Sequence, residues 1–197
     1  MQLLVNDKTV IWLKNGMSMR EFYEFCALNS ESRIERTAAG DIVIQEPAGG
    51  ETSGRNMDLT AQLEGWSRRD GRGVGFASCA GFVLPNTAIR SPDASWVLRS
   101  RLERLTRQQK ERFLPVCPDF VVELTSPSDR LGKVQGKMRE WMANGASLGW
   151  ILDAKRRRAH IYTPDGVEVL DAPKRLAAGP PVNGFVLDLK KIWDPAW

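Results

Sequence analysis

This sequence of 197 residues contains one histidine, His160, and three cysteines, Cys26, Cys79 and Cys117. Each scarcity removes a class of chemistry. A Ser-His-Asp or Cys-His mechanism would have to use His160, and the chain has no Gly-x-Ser-x-Gly nucleophile elbow to go with it. His160 sits in a strand pattern beside a basic turn and reads as structural. Cysteines that are odd in number, widely spaced and set among apolar residues read as buried free thiols in a reducing cytoplasm. That excludes a disulfide framework and a zinc site. A dinucleotide fingerprint is missing too. Gly132 to Met138 has one residue too few between its glycines for a phosphate loop, and Met138 stands where Ser or Thr should meet magnesium. Long apolar runs are absent: Met1 to Leu13 is broken by Asn6, Asp7 and Lys8, so neither a signal peptide nor a membrane span is expected. The expected location is cytoplasmic.

Charge is nearly balanced, at +4 net, which by itself does not imply nucleic acid. Its distribution says more. Arg99, Arg101, Arg104, Arg107, Lys110 and Arg112 face only Glu103 and Glu111, and Lys155 to Arg158 form a second basic cluster. Phosphate binding and a solvated surface both fit such runs. With 42% hydrophobic and 26% charged residues, the chain has the composition of one soluble domain, 1–197, able to bury a core unaided.

Local patterns place the elements. Ser18-Met19-Arg20-Glu21 is a capping box opening a helix to about Leu28. Arg33 to Thr37 and Asp41 to Gln45 read as strands joined by Ala38-Ala39-Gly40, and Pro47 to Gly54 as a flexible loop. A second helix carries Met57, Leu59, Leu63 and Trp66, and the glycines at 71, 73 and 75 end it before a strand from about Val74 to Cys79. Ser91 to Val97 reads as another strand, 99–115 as an excursion of short helices, and 118–125 as a buried strand. Ser126-Pro127-Ser128-Asp129 signals a turn and the N-cap of a helix with Leu131, Val134, Met138, Trp141 and Met142 on one face, stopping at Gly145. Further strands are expected at 148–153, 159–162, 167–170 and 185–188. The fold class is α/β with a mixed sheet.

The strand at 118–125 holds a carboxylate among apolar residues. Burying one unpaired costs several kcal/mol, so Glu123 needs a partner, a metal or a raised pKa. Asp119 shares its face, but at roughly 3.3 Å per residue the two lie about 13 Å apart, too far for one metal. Glu123, deep in the strand, is the better functional candidate, and Asp119 reads as a carboxylate of the strand entrance. If the strand after Pro92-Asp93 pairs with this one, Asp93 and Glu123 approach, and a cation between them would relieve their repulsion. Oxygen ligands with positions left for water suit Mg2+, with Mn2+ as an alternative. Lys137, flanking the apolar helix face one turn before Trp141, can cover its stem and point its ammonium along the sheet, better than Lys133 can. Glu35 is either a further ligand to the metal or its water, or a surface cross-strand partner of Arg33 or Arg36.

Three segments carry a resemblance: Gly49 to Asn56, Arg90-Ser91-Pro92-Asp93-Ala94-Ser95-Trp96, and Cys117 to Leu124, continued by Lys137-Met138, Trp141, Asn144-Gly145 and Leu148-Gly149-Trp150. In these the chain resembles the Uma-two family of the PD-(D/E)xK restriction-endonuclease-like superfamily, over a core of about 18–193. The resemblance implies an αβββαβ core with a mixed central sheet flanked by helices. It also implies Asp93 and Glu123 as metal-binding catalytic acids and Glu35 as the acidic residue before the central hairpin. Thr125 departs from the superfamily, which places a lysine there; in this family a lysine on the next helix, here Lys137, is proposed to replace it. The expected activity is Mg2+-dependent hydrolysis of DNA. The competing expectations are an inactive domain of the same fold that binds nucleic acid, and a protein-interaction module, as a homodimer.

Overall fold

The computed structural model describes residues 8–11, 16–45 and 47–195. Strand β1 (Lys8–Ile11) precedes helix α1 (Met19–Leu28), which the expected capping box opens: Glu21 N donates to Ser18 Oγ and Ser18 N to Glu21 Oε2. Strands β2 (Arg33–Arg36) and β3 (Ile42–Gln45) form the expected hairpin, with Glu35 opposite Val43. The stretch 47–54 departs from the loop expectation. Helix α2 (Gly50–Asp70) already begins at Gly50, behind an N-cap glycine that makes no side-chain cap. Tertiary contact supplies what local signals lack, since Arg55 donates to Ile192 O and pairs with Glu51 one turn earlier. At the other end Gly71 takes a left-handed conformation, φ 72°, and stops the helix.

Strand β4 (Gly73–Ala77) ends two residues short of Cys79. Next come β5 (Phe82–Val83), β6 (Ile89–Arg90) and β7 (Ala94–Leu98), so Ser91-Pro92-Asp93 is a crossing between strands and not part of one. The basic excursion holds α3 (Arg99–Glu103) and α4 (Arg107–Lys110). Strand β8 (Phe120–Leu124) leads to α5 (Leu131–Ala143). Asp129 does not cap that helix: Arg130 is the N-cap, and Asp129 Oδ2 accepts from Ser126 N and Oγ to close the preceding turn. Then follow β9 (Leu148–Asp153), β10 (Arg158–Thr163), β11 (Gly166–Asp171), β12 (Arg175–Ala177), β13 (Val186–Asp188) and α6 (Lys190–Trp193). The sequence expectations lack the short strands β1, β5 and β6, and also β12, a three-residue strand whose partner is β13.

Among the described residues the strands form three sheets. The central one runs β11-β10-β9-β8-β7-β4 and is mixed, antiparallel except for the parallel pair β8–β9. A second runs β1-β3-β2-β6-β5, and β12–β13 is a third. Alternation along β8 divides the central core. Phe120, Val122 and Leu124 pack with Leu59, Leu63, Trp66, Trp96, Trp150 and Phe185 on the α2 side. Val121 packs on the other face with Val134, Met138 and Trp141 of α5. Each such side chain contributes about 1.5–3 kcal/mol on burial, enough in sum to carry a costly polar cluster. Helix α5 lies so close to β9 that a Cβ on Gly149 would stand 2.3 Å from Met138 Sδ. A smaller core of Phe22, Ile34, Ile42 and Ile89 joins α1 to the second sheet. The cysteines are free, but only Cys117 is fully buried; Cys26 is half-buried and Cys79, in the turn after β4, is exposed. Among the described residues no helix is long and apolar enough to cross a membrane.

Candidate active site

The register β7–β8 sets Ala94 opposite Val122, and Asp93 N donates to Val122 O. Asp93 therefore lies beside the end of β8 that carries Glu123. Its Oδ2 accepts from Leu124 N at 2.8 Å, and its Oδ1 lies 3.3 Å from Arg33 Nη1. Because β6 belongs to the second sheet and β7 to the central one, the Ser91-Pro92-Asp93 crossing brings that second sheet against β8. Ile34 turns into the small core. Its neighbours Arg33 and Glu35 point the opposite way, as strand alternation requires, and line a cavity with Asp93 and Glu123.

Lys137 joins these pieces. Its Nζ lies 2.8 Å from Glu35 Oε1, 3.1 Å from Glu123 Oε1 and 2.8 Å from Ser91 O, three acceptors for three ammonium protons. Its side chain is only 13% exposed. Trp141, one turn on, donates its indole N–H to Glu123 Oε1 at 2.8 Å. Arg90 bridges Glu35, at 3.1 Å, and Glu140 of α5, at 2.6 Å, while Ser91 N donates to Glu35 Oε1. Helix α5 is thus tied to the second sheet by Lys137 and by the Arg90–Glu140 pair.

The electrostatics are uneven. Burial would raise the Glu35 carboxyl, but Lys137 and Arg90 more than offset it and hold it down to about 2. Glu123 goes the other way. Burial raises it, Lys137 opposes, and the neighbouring carboxylates Asp93 and Glu35 raise it further. Burial alone would lower Lys137, yet Glu123 and Glu35 raise it, so it stays an ammonium across the physiological range. Burial is thus the main reason that Glu123 resists ionising, and the neighbouring carboxylates add to it.

All four residues singled out by the sequence reading, Asp93, Glu123, Lys137 and Glu35, come together here. Glu35 is a buried partner of Lys137 and Arg90, not a surface partner of Arg33 or Arg36; Arg36 instead donates to Met17 O and Thr87 O. Asp119 stays out of the cluster, accepting from Leu98 N at 2.8 Å and Arg101 Nη1 at 2.7 Å. Thr125 is buried, with its hydroxyl toward Leu152 O. His160 is buried in β10, outside the cluster. Sequence reasoning passed over three contributors: Arg33 as a partner of Asp93, Arg90, and the indole of Trp141. The available signals were Arg90 directly before Ser91-Pro92-Asp93 and the four-residue step from Lys137 to Trp141. Since β7 runs antiparallel to β8, the basic excursion after Leu98 starts at the Asp119 end of β8, away from Glu123. The turn after β9 is at the Glu123 end, but Arg156, Arg157 and Arg158 pair with Asp153, Asp194 and Asp171.

The cavity beside the cluster measures about 1000 Å³ and is also lined by Asn56, Ser126, Asp129, Arg130 and Lys133. No group of three or more His, Cys, Asp or Glu residues arranged to hold a metal occurs among the described residues. Among the carboxylates lining the cavity, Asp93 and Glu123 are the two that could hold a metal. Two hard oxygen ligands beside a large cavity fit magnesium, which keeps several waters and binds through one or two carboxylates plus substrate phosphate. The carboxylates Asp93 and Glu35 near Glu123 fit a cation as well.

Comparison with known proteins agrees with this fold. A solved structure from Anabaena variabilis, described as a "putative nuclease belonging to DUF820", superposes with a TM-score of 0.71 at 20% identity. The match covers 90% of this chain and 97% of that one, and it shows a shared fold. No curated protein is detectably similar to the chain. The family model Uma2, described as "Putative restriction endonuclease", matches residues 19–190. The chain belongs to that family.

Proposed function

We propose that this protein is a Mg2+-dependent endonuclease that hydrolyses DNA phosphodiester bonds, with Mn2+ able to replace Mg2+. The observation that carries the reading is the convergence of Asp93, Glu123, Glu35 and Lys137 on the wall of one cavity. Family membership supports it. Asp93 and Glu123 would hold the metal, which when bound supplies Lewis-acid polarisation of a phosphoryl oxygen and a more acidic water. Lys137 is raised and fully hydrogen-bonded, so it serves as fixed positive charge for the phosphorane and not as a base. Glu35 acts through Lys137, fixing its ammonium at 2.8 Å. In the reaction a bond forms between water oxygen and phosphorus as one P–O ester bond breaks. The water yields a proton to solvent, and the departing oxygen takes one up.

The test is nicking of supercoiled plasmid in Mg2+ or Mn2+ by the native protein and by Glu123→Ala. Cleavage by the native protein that disappears with EDTA and in the variant is expected. Equal cleavage by both proteins would trace to a contaminant and end the assignment. A second reading, an inactive domain of this fold that binds nucleic acid or another protein, gains from the Arg33–Asp93 ion pair, which occupies a carboxylate oxygen. It predicts salt-sensitive DNA binding that survives alanine at 93 and 123, without cleavage. For the interaction module it predicts a homodimer with no DNA affinity.

A further inference from the structure

Arg33 and Lys137 are both cations of the cluster, but they are held differently. Lys137 uses all three of its protons on Glu35, Glu123 and Ser91 O. Arg33 has a short bond from Nη2 to Ser91 O, 2.6 Å, a long contact from Nη1 to Asp93 Oδ1, 3.3 Å, and a buried Nε with no partner. The other carboxylate oxygen of Asp93, Oδ2, is committed to Leu124 N. Oδ1 is therefore the oxygen through which Asp93 can take a metal, and Arg33 is what stands on it.

We infer that Arg33 is a placeholder cation: it neutralises Asp93 Oδ1 until a divalent metal displaces it, and then turns its guanidinium to the substrate phosphate. The inference rests on the endonuclease reading above. Its physical basis is threefold. A guanidinium cannot lose its charge in a protein, so it leaves Asp93 only by moving. The Ser91 O bond does not depend on Asp93 and serves as a pivot, keeping Arg33 on the cavity wall it already lines. An unpartnered buried N–H costs about 1–3 kcal/mol, so the present orientation leaves a donor to be satisfied, and a phosphate accepts from the planar fork as a carboxylate does. Arg90 cannot take this part, since it is held between Glu35 and Glu140.

The experiment measures Mn2+ affinity without DNA, by loss of the free-ion electron paramagnetic resonance signal. It compares the native protein with Arg33→Gln, Arg33→Lys and Glu123→Ala, and measures Mn2+-dependent nicking by each. Arg33→Gln is expected to bind Mn2+ about tenfold tighter, the low end of what a neighbouring opposite charge does to a carboxylate. It is also expected to nick at least about tenfold more slowly, having lost a donor to the developing phosphate charge. Arg33→Lys, the gentler change, loses the fork that spans Ser91 O and Asp93 and should move both readouts the same way by less; it carries the test if Arg33→Gln does not fold. Unchanged Mn2+ affinity in the Arg33 variants, with binding lost in Glu123→Ala, would overturn the placeholder and leave the metal site standing. Mn2+ binding by none of the four proteins would overturn both. Tighter binding with undiminished nicking would refute the turn to phosphate.

Discussion

Strand β8 has an acidic residue near each end, Asp119 just before it and Glu123 within it, and the two ends have different fates. Asp119 is closed off: one oxygen takes Leu98 N and the other takes Arg101, whose side chain is 33% exposed. Glu123 faces Asp93 and Glu35 across a single lysine and opens on a cavity. Both are buried carboxylates in ion pairs, so neither burial nor pairing marks a site. What separates them is charge balance and access. One acid matched by one arginine and one backbone N–H is a structural lock, whereas at the Glu123 end four acids, Glu35, Asp93, Glu123 and Glu140, meet three cations, Lys137, Arg90 and Arg33, which leaves a place for another.

Exchanging the two carboxylates for amides should break the symmetry most visibly. Glu123→Gln is expected to lower Mg2+-dependent nicking by about a thousandfold or more, the scale of losing a principal electrostatic contributor. Asp119→Asn should leave the rate per folded molecule within about twofold, because its contacts are all structural. Single-turnover nicking at matched folded fraction measures both. A large rate loss in Asp119→Asn would erase the distinction.

The cations at the two ends offer a stability version of the same contrast. Lys137→Met takes the ammonium from two buried carboxylates, leaving Glu35 to Arg90 and Ser91 N and Glu123 to the Trp141 indole, and should destabilise by about 3–5 kcal/mol, as breaking a buried pair does. Arg101→Met leaves Asp119 its backbone donor, and the arginine it removes is itself partly solvated, for a cost of about 1–2 kcal/mol. Urea unfolding distinguishes them, and equal losses would mean that the lysine cluster is no more demanding than the lock.

A smaller effect sharpens the acid limb of stability in the metal-free protein. Glu35 is held down to about 2 from 4.5, so the folded state binds its proton less readily than the unfolded one. Its contribution is complete above about pH 4.5 and is lost as pH falls from there through about 2. Glu35→Gln should therefore flatten the pH dependence of unfolding across that window. An unaltered slope in Glu35→Gln would remove Glu35 from the ionised cluster.

Much of this was legible before the fold was seen, and for definable reasons. Alternation along 118–125 separated the faces of β8, the four-residue spacing fixed Asp119 and Glu123 apart, and the apolar stripe of α5 oriented Lys137. The start of α2 was not legible, because Gly49 and Gly50 carry loop chemistry and the helix is held by the distant contact of Arg55 with Ile192 O. Arg33 and Arg90 lie on short strands where an arginine looks like a solvent-facing position. Only the Ser91-Pro92-Asp93 crossing between two sheets turns them inward, and a crossing of that kind depends on strand pairing far apart in sequence. The indole of Trp141 was hidden by its own size: it reads as core, and it is core, with one polar edge aimed at Glu123.

The most direct test of the contrast is a crystal soaked in Mn2+ and measured at the manganese absorption edge. Anomalous density between Asp93 and Glu123, with none beside Asp119, is the result the account predicts. Density beside Asp119, or none between Asp93 and Glu123 at saturating Mn2+, would contradict it.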